Sequence, residues 1–145
     1  FAEARRVLRP GGTLLFNVWD RIEANDFAHI VDATLATLFP DDPPRFLARV
    51  PHGWSDRDAI VRDLAEAGFV HEPAVHAMAA RSPAPSARAA AMAYCQGTPL
   101  RNELEARRRL TVQEATDACA DAIARRFGDG PVEGWVQGFV VTALR

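Results

Sequence analysis

The feature that most constrains this chain is the run Leu8-Arg9-Pro10-Gly11-Gly12-Thr13-Leu14-Leu15-Phe16-Asn17-Val18-Trp19-Asp20. Proline cannot continue a helix and glycine supplies turn conformations, so Pro10-Gly11-Gly12 must end whatever helix precedes it. Leu14, Leu15 and Phe16 then run without alternation, which predicts a strand over 13–19 covered on both faces, as in a parallel sheet. The strand breaks into Asn17, Trp19 and Asp20 at its carboxyl end, the end at which open α/β sheets bind their ligands.

The rest of the chain alternates around that strand. Phe1, Ala4, Val7 and Leu8 share a helical face, so the chain opens inside a helix and reads as cut from something longer. Asn25 is placed to N-cap a helix carrying Phe27, Ile30, Val31, Thr34, Leu35 and Leu38 on one side. Pro40-Asp41-Asp42-Pro43-Pro44 makes 40–45 a stiff connector, and 46–50 is extended at best. Ser55 and Asp58 read as the start of a helix buried through Ile60, Val61, Leu64 and Ala67 and closed by Gly68. A strand over 69–79 follows, with Ser82-Pro83-Ala84-Pro85 breaking it.

Ser86 then starts an alanine-rich helix ended by Gly97, and Thr98-Pro99 starts a short one to about Arg109. Thr111 and Glu114 form a capping box for a helix buried through Val112, Ala115, Cys119, Ala122, Ile123 and Phe127 and closed by Gly128. A last strand, 133–143, has Gly134 and Gly138 at bulges or close approaches.

At 145 residues the chain fits one domain, and 48% hydrophobic with 25% charged residues is the composition of a folded protein. The formal charge of −2 leaves no basic footprint for nucleic acid. Arg5-Arg6, Arg107-Arg108-Arg109 and Arg125-Arg126 fall at helix C-termini, where cations meet the helix dipole. No apolar run approaches the roughly 20 residues of a membrane span, and no apolar signal segment is present. Cys95 and Cys119 both fall in helical patterns, as buried thiols of a reducing, cytoplasmic setting.

Arg6-Val7-Leu8-Arg9-Pro10-Gly11-Gly12-Thr13-Leu14-Leu15 resembles the segment that enters the fifth strand of class I S-adenosylmethionine-dependent methyltransferases. There, a helix ending in leucine and a basic residue passes through Pro-Gly-Gly into a buried strand. The specific signal covers residues 5–20. The order helix, strand, two helices, strand, three helices, strand is similar to the C-terminal half of that Rossmann-like fold.

The resemblance implies an α/β domain with a three-stranded mixed sheet in the spatial order 13–19, 133–143, 69–79, the last strand antiparallel between the other two. Residues 84–127 would be a helical insertion covering a small-molecule substrate. In that family S-adenosylmethionine is held by a glycine-rich loop after the first strand and an acidic residue ending the second. The cluster Gly128-Asp129-Gly130-Pro131 follows a helix and precedes a strand, the reverse of that context, so no cofactor is expected to bind this chain alone.

What the resemblance leaves is the substrate side. Asn17, Trp19 and Asp20 stand at the carboxyl end of the first strand, with Phe27, Trp54 and Tyr94 as further lining candidates. His52 in Pro51-His52-Gly53-Trp54 reads either as a proton acceptor or as an exposed loop histidine. Trp54 is either a flat pocket wall or a plug in the core, and Tyr94 either points into a pocket or packs as an amphipathic aromatic.

His71 and His76 fall on opposite strand faces and cannot share a metal, no Cys/His spacing suggests zinc, and no Gly-x-Ser-x-Gly elbow is present. The expected whole is the substrate half of a small-molecule methyltransferase, inactive alone. The edge of strand 13–19 would then be covered, by a second copy or by a rearranged segment. The alternatives are a non-catalytic α+β ligand-binding or oligomerisation module, and one chain of a two-chain enzyme.

Overall fold

The computed structural model describes residues 1–145. Helix α1 (Ala2–Val7) leads into strand β1 (Thr13–Trp19), and a single 3₁₀ turn (Ile22–Ala24) joins β1 to α2 (Asp26–Leu38). Next come α3 (Phe46–Arg49), α4 (Arg57–Glu66), β2 (Ala74–Ala84), α5 (Ala87–Cys95), α6 (Leu100–Arg107), α7 (Val112–Phe127) and β3 (Val132–Leu144).

The Pro-Gly-Gly turn is built as its residues require. Gly11 has φ +74°, a conformation glycine adopts without strain, and a Cβ on Gly12 would lie 2.8 Å from the carbonyl oxygen of Arg9. Gly12 donates to that same carbonyl at 2.8 Å, and Arg145 donates to Gly12 O at 2.9 Å. The turn thus delivers β1 directly into register with the last strand.

The sheet order is β1-β3-β2, the spatial order expected. The expected mixed sheet is corrected: β3 runs opposite to both neighbours, so both ladders are antiparallel, Phe16 facing Val141 in one and Val75 facing Val141 in the other. A parallel ladder would need β1 and β2 to touch, and β3 separates them.

Strand β2 also lies later than expected, at 74–84 rather than 69–79. Pro83 sits inside it opposite Glu133 instead of ending it. An edge strand tolerates proline because a missing N–H on its outer side breaks no ladder bond. The helical unit accordingly starts at Ala87, not at 84.

Two apolar cores use opposite faces of β3. Val132 and Gly134, near its start, face α2, α5, α6 and α7, which pack around Leu35, Leu104, Cys119 and Ile123. Phe139, Val141 and Ala143, of the opposite parity, face α4 through Ile60 and Leu64. Because side chains alternate along a strand, this parity change puts the two cores on opposite sides of the sheet.

Strand β1 joins only the second core, through Leu14, Phe16 and Val18. The expectation that both its faces are covered is therefore corrected: Leu15 is 65% exposed, beside exposed Trp19 and Met78. The outer edge of β1 is unpaired in this three-stranded order.

Local details follow the same physics. The capping box of Thr111 and Glu114 forms with both reciprocal bonds, and Ser86 caps α5 through the N–H of Ala89. Asp56, not Ser55, caps α4, accepting from the N–H of Asp58. Residues 46–49 form a helical turn rather than extended chain. Glu103 on α6 accepts from the Arg45 N–H at 3.0 Å and from the Arg49 guanidinium at 2.9 Å, so tertiary contacts hold a turn too short to be stable alone.

Candidate functional site

At the carboxyl end of β1 the chain forms an open cavity of about 350 Å³. Its walls come from five places: Trp19 on β1, Asn25 at the start of α2, Phe46, Leu47 and Val50 to His52 around α3, Tyr94 and Gly97 to Pro99 at the α5–α6 turn, and Val136 on β3. Three of the sequence candidates therefore meet there: Trp19, His52 and Tyr94.

His52 is a buried histidine, 8% exposed, not the exposed loop residue that is one of the two readings of its sequence. Its Nδ1 lies 2.7 Å from the backbone carbonyl of Asp20. A carbonyl only accepts, so Nδ1 carries the hydrogen and donates it; in the neutral form of the ring the lone pair is then on Nε2. Nε2 has no partner within the protein and is not sealed from solvent. Its ring centroid stands 6.1 Å from that of Trp19, with the planes tilted by 43°.

Tyr94 is half-buried, and burial pushes its phenol above the ordinary 10.0, so it stays neutral and able to donate. The helical turn that presents it is closed by Thr98, whose hydroxyl donates to Tyr94 O at 2.7 Å and accepts from the Leu100 N–H at 3.2 Å.

Asp20 does not line the cavity; it stands behind it. Its carboxylate accepts from the Arg21 N–H at 2.6 Å and from the Gln137 side-chain amide at 2.5 Å, while its carbonyl holds His52. Asn25 departs from its expected role. It stands at the N-cap position of α2 but makes no cap bond with its side chain. Instead its Oδ1 accepts from the Gln137 N–H at 3.1 Å, and its Nδ2 donates to Arg21 O at 3.1 Å and Gln137 O at 3.3 Å. The 20–25 loop is thereby pinned to β3 and forms part of the cavity wall.

The other candidates lie elsewhere. Phe27 is buried in the helical core, edge-to-face with Phe127 at 5.4 Å and against Gly134. Trp54 is a plug: its ring stacks on Phe16 at 6.3 Å and its indole N–H donates to Asp63 at 3.2 Å. Asn17 points to the uncovered sheet face, where Leu15, Trp19, Met78, Val136 and Val140 line a shallow apolar depression of about 510 Å³.

Phe46, Val50, Pro99 and Val136 line the cavity without any sequence signal marking them, because only the α3 turn, the α5–α6 turn and the place of β3 beside β1 bring them there. No group of three His, Cys, Asp or Glu side chains converges as a metal site. No helix is long and apolar enough to cross a membrane. No protein-family model matches the chain.

Proposed function

We propose that these residues form the substrate-side part of an S-adenosylmethionine-dependent methyltransferase acting on a small molecule. The observation that carries the reading is the sheet. An apolar strand entered through Pro10-Gly11-Gly12 lies at one edge, with the last strand antiparallel between it and β2. The cavity opens at the carboxyl end of that strand, where such folds place ligands.

The residues present do not fit the cofactor. The glycine cluster caps the C-terminus of α7, with Gly128 at φ +95°, and feeds β3, so no strand–glycine loop–helix is available to it. No transfer step is assigned to this chain; its part is to hold the acceptor.

The same reading has the outer edge of β1 and its Leu15 face met by further structure, from a glycine-loop half or a second copy. It places the protein in the cytoplasm, where free thiols such as Cys95 and Cys119 persist.

Two measurements test it. The 145-residue chain titrated calorimetrically with S-adenosylmethionine should give no heat at millimolar ligand. The reading frame upstream of Phe1 should encode a strand–Gly-x-Gly–helix unit, and the longer product should transfer a labelled methyl group. Tight stoichiometric binding by the short chain, or a longer product that binds no cofactor, would overturn the proposal. A second reading, a non-catalytic ligand-binding module, is favoured by one observation: the lining converges from five separate stretches of this chain without any cofactor-binding loop.

A further inference from the structure

We infer that the cavity between β1, α3 and the α5–α6 turn takes a neutral aromatic ring of one or two fused cycles bearing a single hydroxyl, which donates to His52 Nε2. This rests on the reading of the cavity as an acceptor site, and it names what that acceptor is.

Charge is the first argument. No Asp, Glu, Lys or Arg side chain lines the cavity. An ionised ligand would surrender its hydration there with no counter-charge to replace it, which disfavours binding or shifts the ligand to its neutral form.

Shape is the second. The walls are the flat or rigid side chains of Trp19, Phe46, Val50, Pro51 and Tyr94, and about 350 Å³ is at the small end of ligand sites, which run from about 300 to 1,000 Å³. A planar ring lies against an indole face better than a branched chain does.

The third argument is which polar groups remain unpaired. Asn25 and Thr98 are on the cavity wall but spend their side chains on backbone partners. His52 is different. In the neutral ring, with Nδ1–H committed to Asp20 O, Nε2 is an acceptor, and no donor within the protein meets it. A ligand that covers this solvent-reachable nitrogen must supply a donor, because an acceptor sealed off without one costs free energy. A hydroxyl supplies it; an ether or a bare hydrocarbon does not. The Tyr94 hydroxyl has no protein partner either, so it is available to donate to the oxygen whose hydrogen His52 receives.

The test uses three probes of one size, naphthalene, 1-naphthol and 1-naphthoate, in equilibrium dialysis against the 145-residue chain at neutral pH. The expected order is 1-naphthol tightest, about tenfold over naphthalene, as one charge-free hydrogen bond in a desolvated site gives. 1-Naphthoate should be weakest. In His52→Phe, 1-naphthol should fall to the level of naphthalene while naphthalene itself is unchanged. Naphthoate binding as well as naphthol, equal loss of both probes in His52→Phe, or no probe binding at all would each overturn the assignment. If His52→Phe does not fold, the three-probe ranking on the unaltered chain still decides. That ranking is measured without cofactor, so its failure leaves the methyltransferase reading to the turnover test on the longer product.

Discussion

Replacing Asn25 by serine separates two accounts of that residue. If its worth lay in capping α2, serine would serve equally well, because Asn, Asp and Ser rank together at N-caps. The structure has it brace a loop instead: two bonds from a 2%-exposed side chain tie it to Gln137 on β3, and a third closes the 20–25 segment on Arg21 O. The serine hydroxyl stands closer to its own backbone and cannot reach both Arg21 and Gln137.

The magnitude follows from what is stranded. The Gln137 N–H loses its acceptor, and an unmade buried donor costs about 1–3 kcal/mol. Arg21 O loses a donor worth about 1 kcal/mol, whereas Gln137 O still accepts from the Asp20 N–H at 3.0 Å and is partly spared. A loss of about 2–4 kcal/mol is expected for both Asn25→Ser and Asn25→Ala. At about 3 °C per kcal/mol for a domain this size, the midpoint should fall by about 6–12 °C. Urea unfolding followed by circular dichroism reads the free-energy loss, with the slope unchanged if only the native state is affected. Asn25→Ser within about 0.5 kcal/mol of the unaltered protein would refute the brace and restore the cap.

Three further outcomes follow from the same structure. Glu114 is held below its ordinary 4.5 by the backbone N–H of Thr111 and then its hydroxyl, so its stabilisation is full above 4.5 and lost as pH falls through the lower folded value. Glu114→Gln should be less stable at pH 7 and show a shallower acid decline; parallel curves would contradict this. Asp32 is the opposite case: burial raises it above 3.8, against the pull of Arg45, so the folded state holds its proton more tightly and loses stability as pH rises. Asp32→Asn should therefore be the more stable at pH 7, with the difference gone below pH 3.8, and a less stable variant would show that Arg45 outweighs burial. The unpaired edge of β1 with exposed Leu15 should drive self-association of the isolated chain as concentration rises, and Leu15→Lys should suppress it; an unaltered chain that sediments as a monomer to millimolar concentration would remove the edge as a contact.

Much of the fold was legible because local rules and tertiary packing agree. Thr111 and Glu114 cap α7, Ser86 caps α5, and Gly128 closes α7, each by bonds within a few residues. The failures share one cause. Residues 46–49 carry no helical signal, and Glu103, more than fifty positions away, holds the turn. Pro83 reads as a strand breaker until the sheet order puts β2 at an edge.

The candidate site divides along the same line. Trp19, His52 and Tyr94 were findable as polar-tipped or titratable residues near loop and strand ends, and they do converge. Phe27 and Trp54 have the same composition signal but spend their rings on packing. Residue type alone does not separate an aromatic that lines a cavity from one that fills a core.

The cavity lies where the two packing systems meet, and this decides what holds it open. Phe46, Leu47 and Tyr94 belong to the helical core, whereas Leu14, Phe16 and Val18 of β1 belong to the α4 core on the other side of the sheet. No single apolar cluster spans both. The link between them is polar and short: Asp20 O to His52, Asn25 to Gln137, and the Asp20 carboxylate to the Gln137 amide. Apolar contact tolerates small slippage, but hydrogen bonds fix distance and direction to a few tenths of an ångström. The unpaired Nε2 of His52 is thus positioned by the bond that also sets its tautomer, and the backbone carbonyl that does both comes from Asp20, the residue that follows β1. The strand that organises the fold therefore ends by orienting a free ring nitrogen in the cavity.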